Sequence, residues 1–179
     1  MEECTEAEVQ RMIPLVSAQR REQALRYTHT FGQFCCLKSW EMLMEGINDL
    51  GVSGLGDFCY NEHGKPYWSQ GPFFSISHCK QGIAVAINER PIGIDIEAIR
   101  HAEPDLITRT MSKEEQEQIF RAADTDRAFT RFWTQKEAVV KAQGVGIESF
   151  EQLQKTLDTG EWILETIEKE KYIYSIAHK

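Results

Sequence analysis

The stretch Pro91-Ile92-Gly93-Ile94-Asp95-Ile96-Glu97 places isoleucine at every second position. That period belongs to a β-strand, whose successive side chains point to opposite faces. Ile92, Ile94 and Ile96 therefore share the core face, and Asp95 and Glu97 share the other, which is expected to be polar. Two carboxylates side by side repel each other unless a cation sits between them. Hard oxygen ligands at this spacing suit Mg²⁺.

A second stretch answers it. Phe132-Trp133-Thr134-Gln135-Lys136-Glu137-Ala138-Val139-Val140-Lys141-Ala142-Gln143-Gly144 reads as a helix stopped by its glycine. Trp133, Glu137 and Lys141 are four residues apart and lie on one face, so a third carboxylate and an ammonium group point the same way. Lys136 points roughly 100° away and is given no catalytic role. Trp133 is read as core or wall. A metal held by few carboxylates beside a lysine suits a phosphorylated ligand.

Working outward, Thr5 with Glu8 and Ser112 with Glu115 form capping boxes that open helices. The first is disturbed at Pro14; the second runs to about Ala123. Helices are expected over Ala18 to about His29, about Phe34 to Leu50, and about Arg127 to Gln143. Residues 52–72 read as irregular, with a hairpin around Glu62-His63-Gly64. Strands are expected over Phe73–Ser77 and Ile83–Asn88, with a closing hairpin of Glu161–Thr166 and Lys171–Ala177.

The 179 residues, 41% of them hydrophobic, can bury a core but are few for two independent domains. The 27% of charged residues suit a soluble globular protein. A formal charge of −8 opposes a general nucleic-acid binder, which would need a basic face. The acidic start Met1-Glu2-Glu3-Cys4-Thr5-Glu6 has the character of no secretory signal, and no apolar run approaches membrane-spanning length. Cys4, Cys35, Cys36, Cys59 and Cys79 lack zinc-knuckle spacing and read as reduced thiols, so a cytoplasmic location is expected. His29, His63 and His101 show no metal spacing.

These two segments, together with Gly64-Lys65-Pro66-Tyr67 and Phe74-Ser75-Ile76-Ser77-His78, resemble the 4′-phosphopantetheinyl transferase superfamily. The resemblance is to its surfactin-synthetase-activating type and covers about Ser17 to Gly146. It implies an α+β fold in which two similar α/β halves, about 1–98 and 99–179, pack as a pseudo-dimer within a single domain. The recurrence of Phe74-Ser75-Ile76-Ser77-His78 as Tyr174-Ser175-Ile176-Ala177-His178 agrees with such halves.

The implied reaction moves 4′-phosphopantetheine from coenzyme A to a serine of an acyl or peptidyl carrier protein and releases adenosine 3′,5′-bisphosphate. Carrier proteins of this kind serve fatty-acid, polyketide or nonribosomal-peptide biosynthesis. Resemblance assigns Asp95, Glu97 and Glu137 to Mg²⁺ and Lys141 to the diphosphate. Glu137 is either a metal ligand or the base acting on the serine. Lys65, Ser77 and His78 would contact coenzyme A. Here the chain departs from its relatives, because the Phe34–Leu43 helix carries only Lys38 as a basic residue where an arginine is usual. Arg20 and Arg21 are the remaining candidates for the 3′-phosphate, and the enzyme is expected to act as a monomer. The competing readings are a non-catalytic coenzyme A or carrier-protein binding module and a metal-dependent diphosphate hydrolase.

Overall fold

In the computed structural model, residues 4–158 and 160–179 are described. Contacts divide the chain into two units, Met1–Val52 and Ser53–Lys179. The fold is mixed α and β.

The first unit is helical. Helix α1 (Glu6–Met12) begins with both hydrogen bonds of the expected capping box and runs into a single 3₁₀ turn, Ile13–Leu15, that accommodates Pro14. Helix α2 (Ala18–Leu25) is capped by Ser17 and ends four residues before the expected His29. Helix α3 (Thr30–Asp49) follows after a short turn. Val9, Ala24, Cys36 and Leu37 form the core of this unit, with Met12, Ile13, Val16 and Phe34 around them.

The second unit opens with a short hairpin, β1 (Phe58–Tyr60) and β2 (Pro66–Trp68). It turns through residues 61–65, as the Glu62-His63-Gly64 signal implies. A longer hairpin follows, β3 (Phe73–Cys79) with β4 (Gly82–Asn88). Strand β5 (Ile92–Ala98) belongs to a separate three-stranded sheet of order β5-β7-β6, with β6 at Ile163–Glu168 and β7 at Tyr172–His178. All its pairings are antiparallel, and Gly93, Asp95 and Glu97 lie opposite Ala177, Ser175 and Ile173.

Helix α6 (Thr125–Gln143) lies across β5 and β7. The two come close at Gly93, where a Cβ would meet the Ala138 carbonyl oxygen at 1.9 Å and the Ala142 nitrogen at 2.5 Å. Ala138, Val139, Ala142 and Ala177 form the small-residue core of that contact. The opposite face of β5 packs Ile92 and Ile94 against Ala84 and Ala86 of β4. Both faces of β5 are thus covered. The face bearing Asp95 was expected to be polar, and it is α6 that covers it, so that Asp95 is only 3% exposed.

Helix α5 (Lys113–Arg121) keeps its capping box, with Ser112 and Glu115 bonded reciprocally. Two short helices lacked an expectation from the sequence: α4 (Pro104–Thr110) and α7 (Phe150–Lys155). Lys136 of α6 ties these parts together. It is fully buried, 2.9 Å from Glu115 of α5, and donates to the Leu153 carbonyl of α7 at 2.6 Å. Burial pushes its pKa down, and Glu115 opposes that shift.

Candidate active site

The site is built where β3, β5 and the last turns of α6 meet, all within Ser53–Lys179. Helix α6 can end there because Gly144 adopts a left-handed conformation, φ +77°, with its N–H returned to the Val140 and Lys141 carbonyls. That places Lys141 in the final turn, one turn beyond Glu137 on the face turned to β5.

Lys141 Nζ lies 2.6 Å from Asp95 Oδ1 and 3.0 Å from Ser77 Oγ. Ser77 donates to the same Asp95 oxygen at 2.8 Å and accepts the Ile96 backbone N–H at 3.3 Å. Asp95 Oδ2 is buried and has no hydrogen-bond partner. An ionised oxygen in that condition is costly unless something cationic completes it.

The other carboxylates feel the same field. Desolvation, then Asp95, raises the Glu97 pKa, while Arg100 and Lys141 oppose the shift. Glu137 is pushed further, to about 7, chiefly by desolvation and then by Asp95, with Lys141 acting against it. Asp95, with the raised carboxylates Glu97 and Glu137 in its field, offers hard oxygen donors to a small divalent cation. Among the described residues, however, no three His, Cys, Asp or Glu side chains are already gathered into a metal-binding cluster.

Beside the lysine a cleft is walled by His63, Gly64, Lys65, Pro66, Phe74 and Ile76. Lys65 is held there by Asn61, a residue the sequence reading left unassigned. The Asn61 side chain accepts the His63 and Lys65 N–H groups and donates to the Gly144 carbonyl at 2.7 Å, closing the turn onto the end of α6. Lys65 Nζ donates to the Lys141 carbonyl at 2.5 Å and reaches the Ile92 carbonyl at 3.4 Å. It therefore caps the negative end of α6, and desolvation lowers its pKa. His78 is exposed beyond Ser77 at the end of β3, and desolvation and Lys141 push its pKa down.

Arg20 lies in the other unit and is buried. Its guanidinium donates to the Cys36 carbonyl, at 2.5 Å from Nη2, and to Ser39 Oγ and Gln23 Oε1. It braces α2 against α3, so the guanidinium expected to meet the 3′-phosphate is buried with its donors spent on Cys36, Ser39 and Gln23. Arg21 is exposed on α2. Lys38 is paired with Glu41.

Residues 91–177 match the model of the 4′-phosphopantetheinyl transferase superfamily. The chain is 32% identical over 152 residues to a 4′-phosphopantetheinyl transferase of Bacillus subtilis, covering 78% of this chain and 65% of the relative. It is 28% identical over 150 residues to 4′-phosphopantetheinyl transferase Sfp of Bacillus subtilis strain 168, covering 80% and 66%. Against 4′-phosphopantetheinyl transferase HetI of a Nostoc species it is 34% identical over 119 residues, covering 60% and 50%. The chain thus spans just under two thirds of the length of the first two relatives. Asp95, Glu97, Glu137 and Lys141 all lie in the segment that matches the 4′-phosphopantetheinyl transferase superfamily.

Proposed function

We propose that the protein transfers 4′-phosphopantetheine from coenzyme A to a serine hydroxyl of an acyl or peptidyl carrier protein. The observation that carries this reading is the meeting of Lys141, Asp95 and Glu137 beside a cleft, in the segment that matches the superfamily. In the reaction the serine oxygen bonds to the β-phosphorus of coenzyme A. The bond from that phosphorus to the bridging oxygen breaks, and adenosine 3′,5′-bisphosphate leaves. Displacements of this kind call for positioning and charge neutralisation more than covalent help.

Of the two roles open to Glu137, metal ligand or base for the serine proton, its burial and its pKa of about 7 in the metal-free protein favour the base. Lys141 supplies a point charge for the departing phosphate. Lys65 holds the end of α6 and borders the cleft in which coenzyme A would lie. Asp95 and Glu97 would hold Mg²⁺, with Glu137 joining them where it serves as ligand in place of base, and the unpartnered Asp95 Oδ2 supports that assignment. When bound, the cation would neutralise diphosphate charge.

The pseudo-dimeric arrangement and monomeric state belong to this reading. The first draws support from β3 and β7, the two strands of the sequence echo, which both lie against β5. A reducing, cytoplasmic setting agrees with five cysteines that form no disulfide. No described helix is long and apolar enough to cross a membrane.

The test is to incubate the protein with coenzyme A, Mg²⁺ and an apo carrier protein, then follow both products. Carrier gaining the mass of phosphopantetheine in step with adenosine 3′,5′-bisphosphate supports transfer. Release of the nucleotide with an unmodified carrier would instead mark a hydrolase, and neither product a binding module.

A further inference from the structure

We propose that Ser77 is a positioning residue that fixes the orientation of the Asp95 carboxylate, so that one oxygen is held by the protein and the other is left for a divalent cation. This rests on the reading of Asp95 as a metal ligand. It departs from the role that the family resemblance gives Ser77, which is contact with coenzyme A.

The geometry carries the inference. A hydroxyl has one proton to donate and two lone pairs to accept with. Ser77 uses its proton on Asp95 Oδ1 at 2.8 Å, and accepts from Ile96 N at 3.3 Å and Lys141 Nζ at 3.0 Å. Its capacity is filled within the protein, and the residue is 6% exposed. Rotation of the carboxylate about its terminal bond would break the Ser77 and Lys141 bonds together. The fixed orientation is therefore the one that leaves Oδ2 as the orphan.

Ser75 provides an internal comparison. It lies two residues earlier on the same face of β3, is equally buried, and accepts the Ile94 N–H at 3.1 Å. Each serine thus supplies β5 with one acceptor where β3 and β5 form no backbone ladder. The two serines differ in what else they reach: Ser77 also donates to the Asp95 carboxylate and accepts from Lys141. Removing either hydroxyl costs the β5 backbone one hydrogen bond, but only removal of Ser77 also loosens the Asp95 carboxylate, leaving its Oδ1 to Lys141 alone.

The experiment measures Mn²⁺ binding to the full chain by loss of the free-ion electron paramagnetic resonance signal, without coenzyme A or carrier protein. Wild type, Ser77→Ala, Ser75→Ala and Ser77→Thr are compared, with folding checked by thermal unfolding. Loss of a group that orients a metal ligand typically weakens binding by about tenfold or more. Ser77→Ala should show that loss, Ser75→Ala should stay within about twofold of wild type, and Ser77→Thr should recover most of the affinity. Wild-type affinity in Ser77→Ala, or equal losses in both alanine variants, would overturn the positioning role while leaving the metal reading intact. A wild-type protein that binds no Mn²⁺ would overturn the metal reading itself, and this role with it.

Discussion

Lys141 Nζ lies 2.6 Å from Asp95 Oδ1, yet the second oxygen of that buried carboxylate has no partner. The pair is also unequally exposed, the lysine side chain by 29% and the aspartate by 4%. Lysine can turn toward water when its partner is lost, but the aspartate cannot. Breaking the pair from the lysine side should therefore cost more. Exposed pairs are worth roughly 0–1 kcal/mol and broken buried pairs cost 3–5, so Lys141→Ala should lose about 2 kcal/mol of metal-free stability. Asp95→Asn should lose less. Urea denaturation in a chelator measures both, and a larger loss for Asp95→Asn would contradict the unequal burial.

Glu137 gives a pH dependence whose sign follows from its raised pKa of about 7. Between its unfolded value, near 4.5, and about 7, the folded state binds the extra proton, so acidification through that window stabilises the fold. Below the unfolded value this group adds nothing further. In a chelator, wild type should gain stability relative to Glu137→Gln as pH falls from 7.5 to 5, as differential thermal unfolding would show. Parallel pH profiles for the two proteins would mean Glu137 is not destabilised by its surroundings.

Gly93 is predicted to tolerate no side chain. A methyl group there would strike the Ala138 carbonyl at 1.9 Å and the Ala142 nitrogen at 2.5 Å, both backbone atoms of α6. The helix must lift from β5, and overpacking of this kind costs about 1–3 kcal/mol or more. Because Asp95 and Lys141 sit on these same two elements, Gly93→Ala should also separate the ion pair and reduce turnover. An alanine variant with wild-type midpoint and rate would show that the helix does not rest where it is placed here.

Weak selection for the 3′-phosphate of coenzyme A is also expected. Arg20 is committed to Cys36, Ser39 and Gln23, Lys38 is paired with Glu41, and His78 has a lowered pKa that favours its neutral form at pH 7. One charged hydrogen bond to a phosphate contributes about 1.5–3 kcal/mol, or roughly ten- to a hundredfold. The ratio of kcat/KM for coenzyme A over 3′-dephospho-coenzyme A should then stay below about tenfold. A preference beyond about a hundredfold would show that Arg21 or another group grips that phosphate.

Much of the site was legible because two periodicities carried it. Period two in Ile92–Ile96 and the four-residue spacing of Glu137 and Lys141 located the strand and the helix on which Asp95 and Lys141 meet. Periodicity says which residues share a face but not what covers it, and so the burial of Asp95 under α6 escaped. The clue was Gly93, whose missing side chain admits the helix. Helices α4 and α7 were missed because seven and six residues are too few for a hydrophobic repeat to show. Their start signals were nevertheless present, in Pro104 after Glu103 and in Ser149 three residues before Gln152. The bonds of Ser77 and Asn61 join segments far apart in sequence. The alternation Ser75-Ile76-Ser77 could have hinted at a hydroxyl-bearing face, though not at Asp95.

The central claim is that the β5 and α6 carboxylates and lysine perform metal-dependent transfer of phosphopantetheine. The most direct measurement is the rate at which an apo carrier protein gains phosphopantetheine, followed by intact mass, for wild type and folded Asp95→Asn in buffered Mg²⁺ and in chelator. Loss of a metal-ligating carboxylate should reduce the rate by about a hundredfold or more. Wild type should modify the carrier only with Mg²⁺, and Asp95→Asn should be slow in both conditions. Equal rates for the two proteins in limiting Mg²⁺, or wild-type transfer undiminished by chelator, would contradict the account.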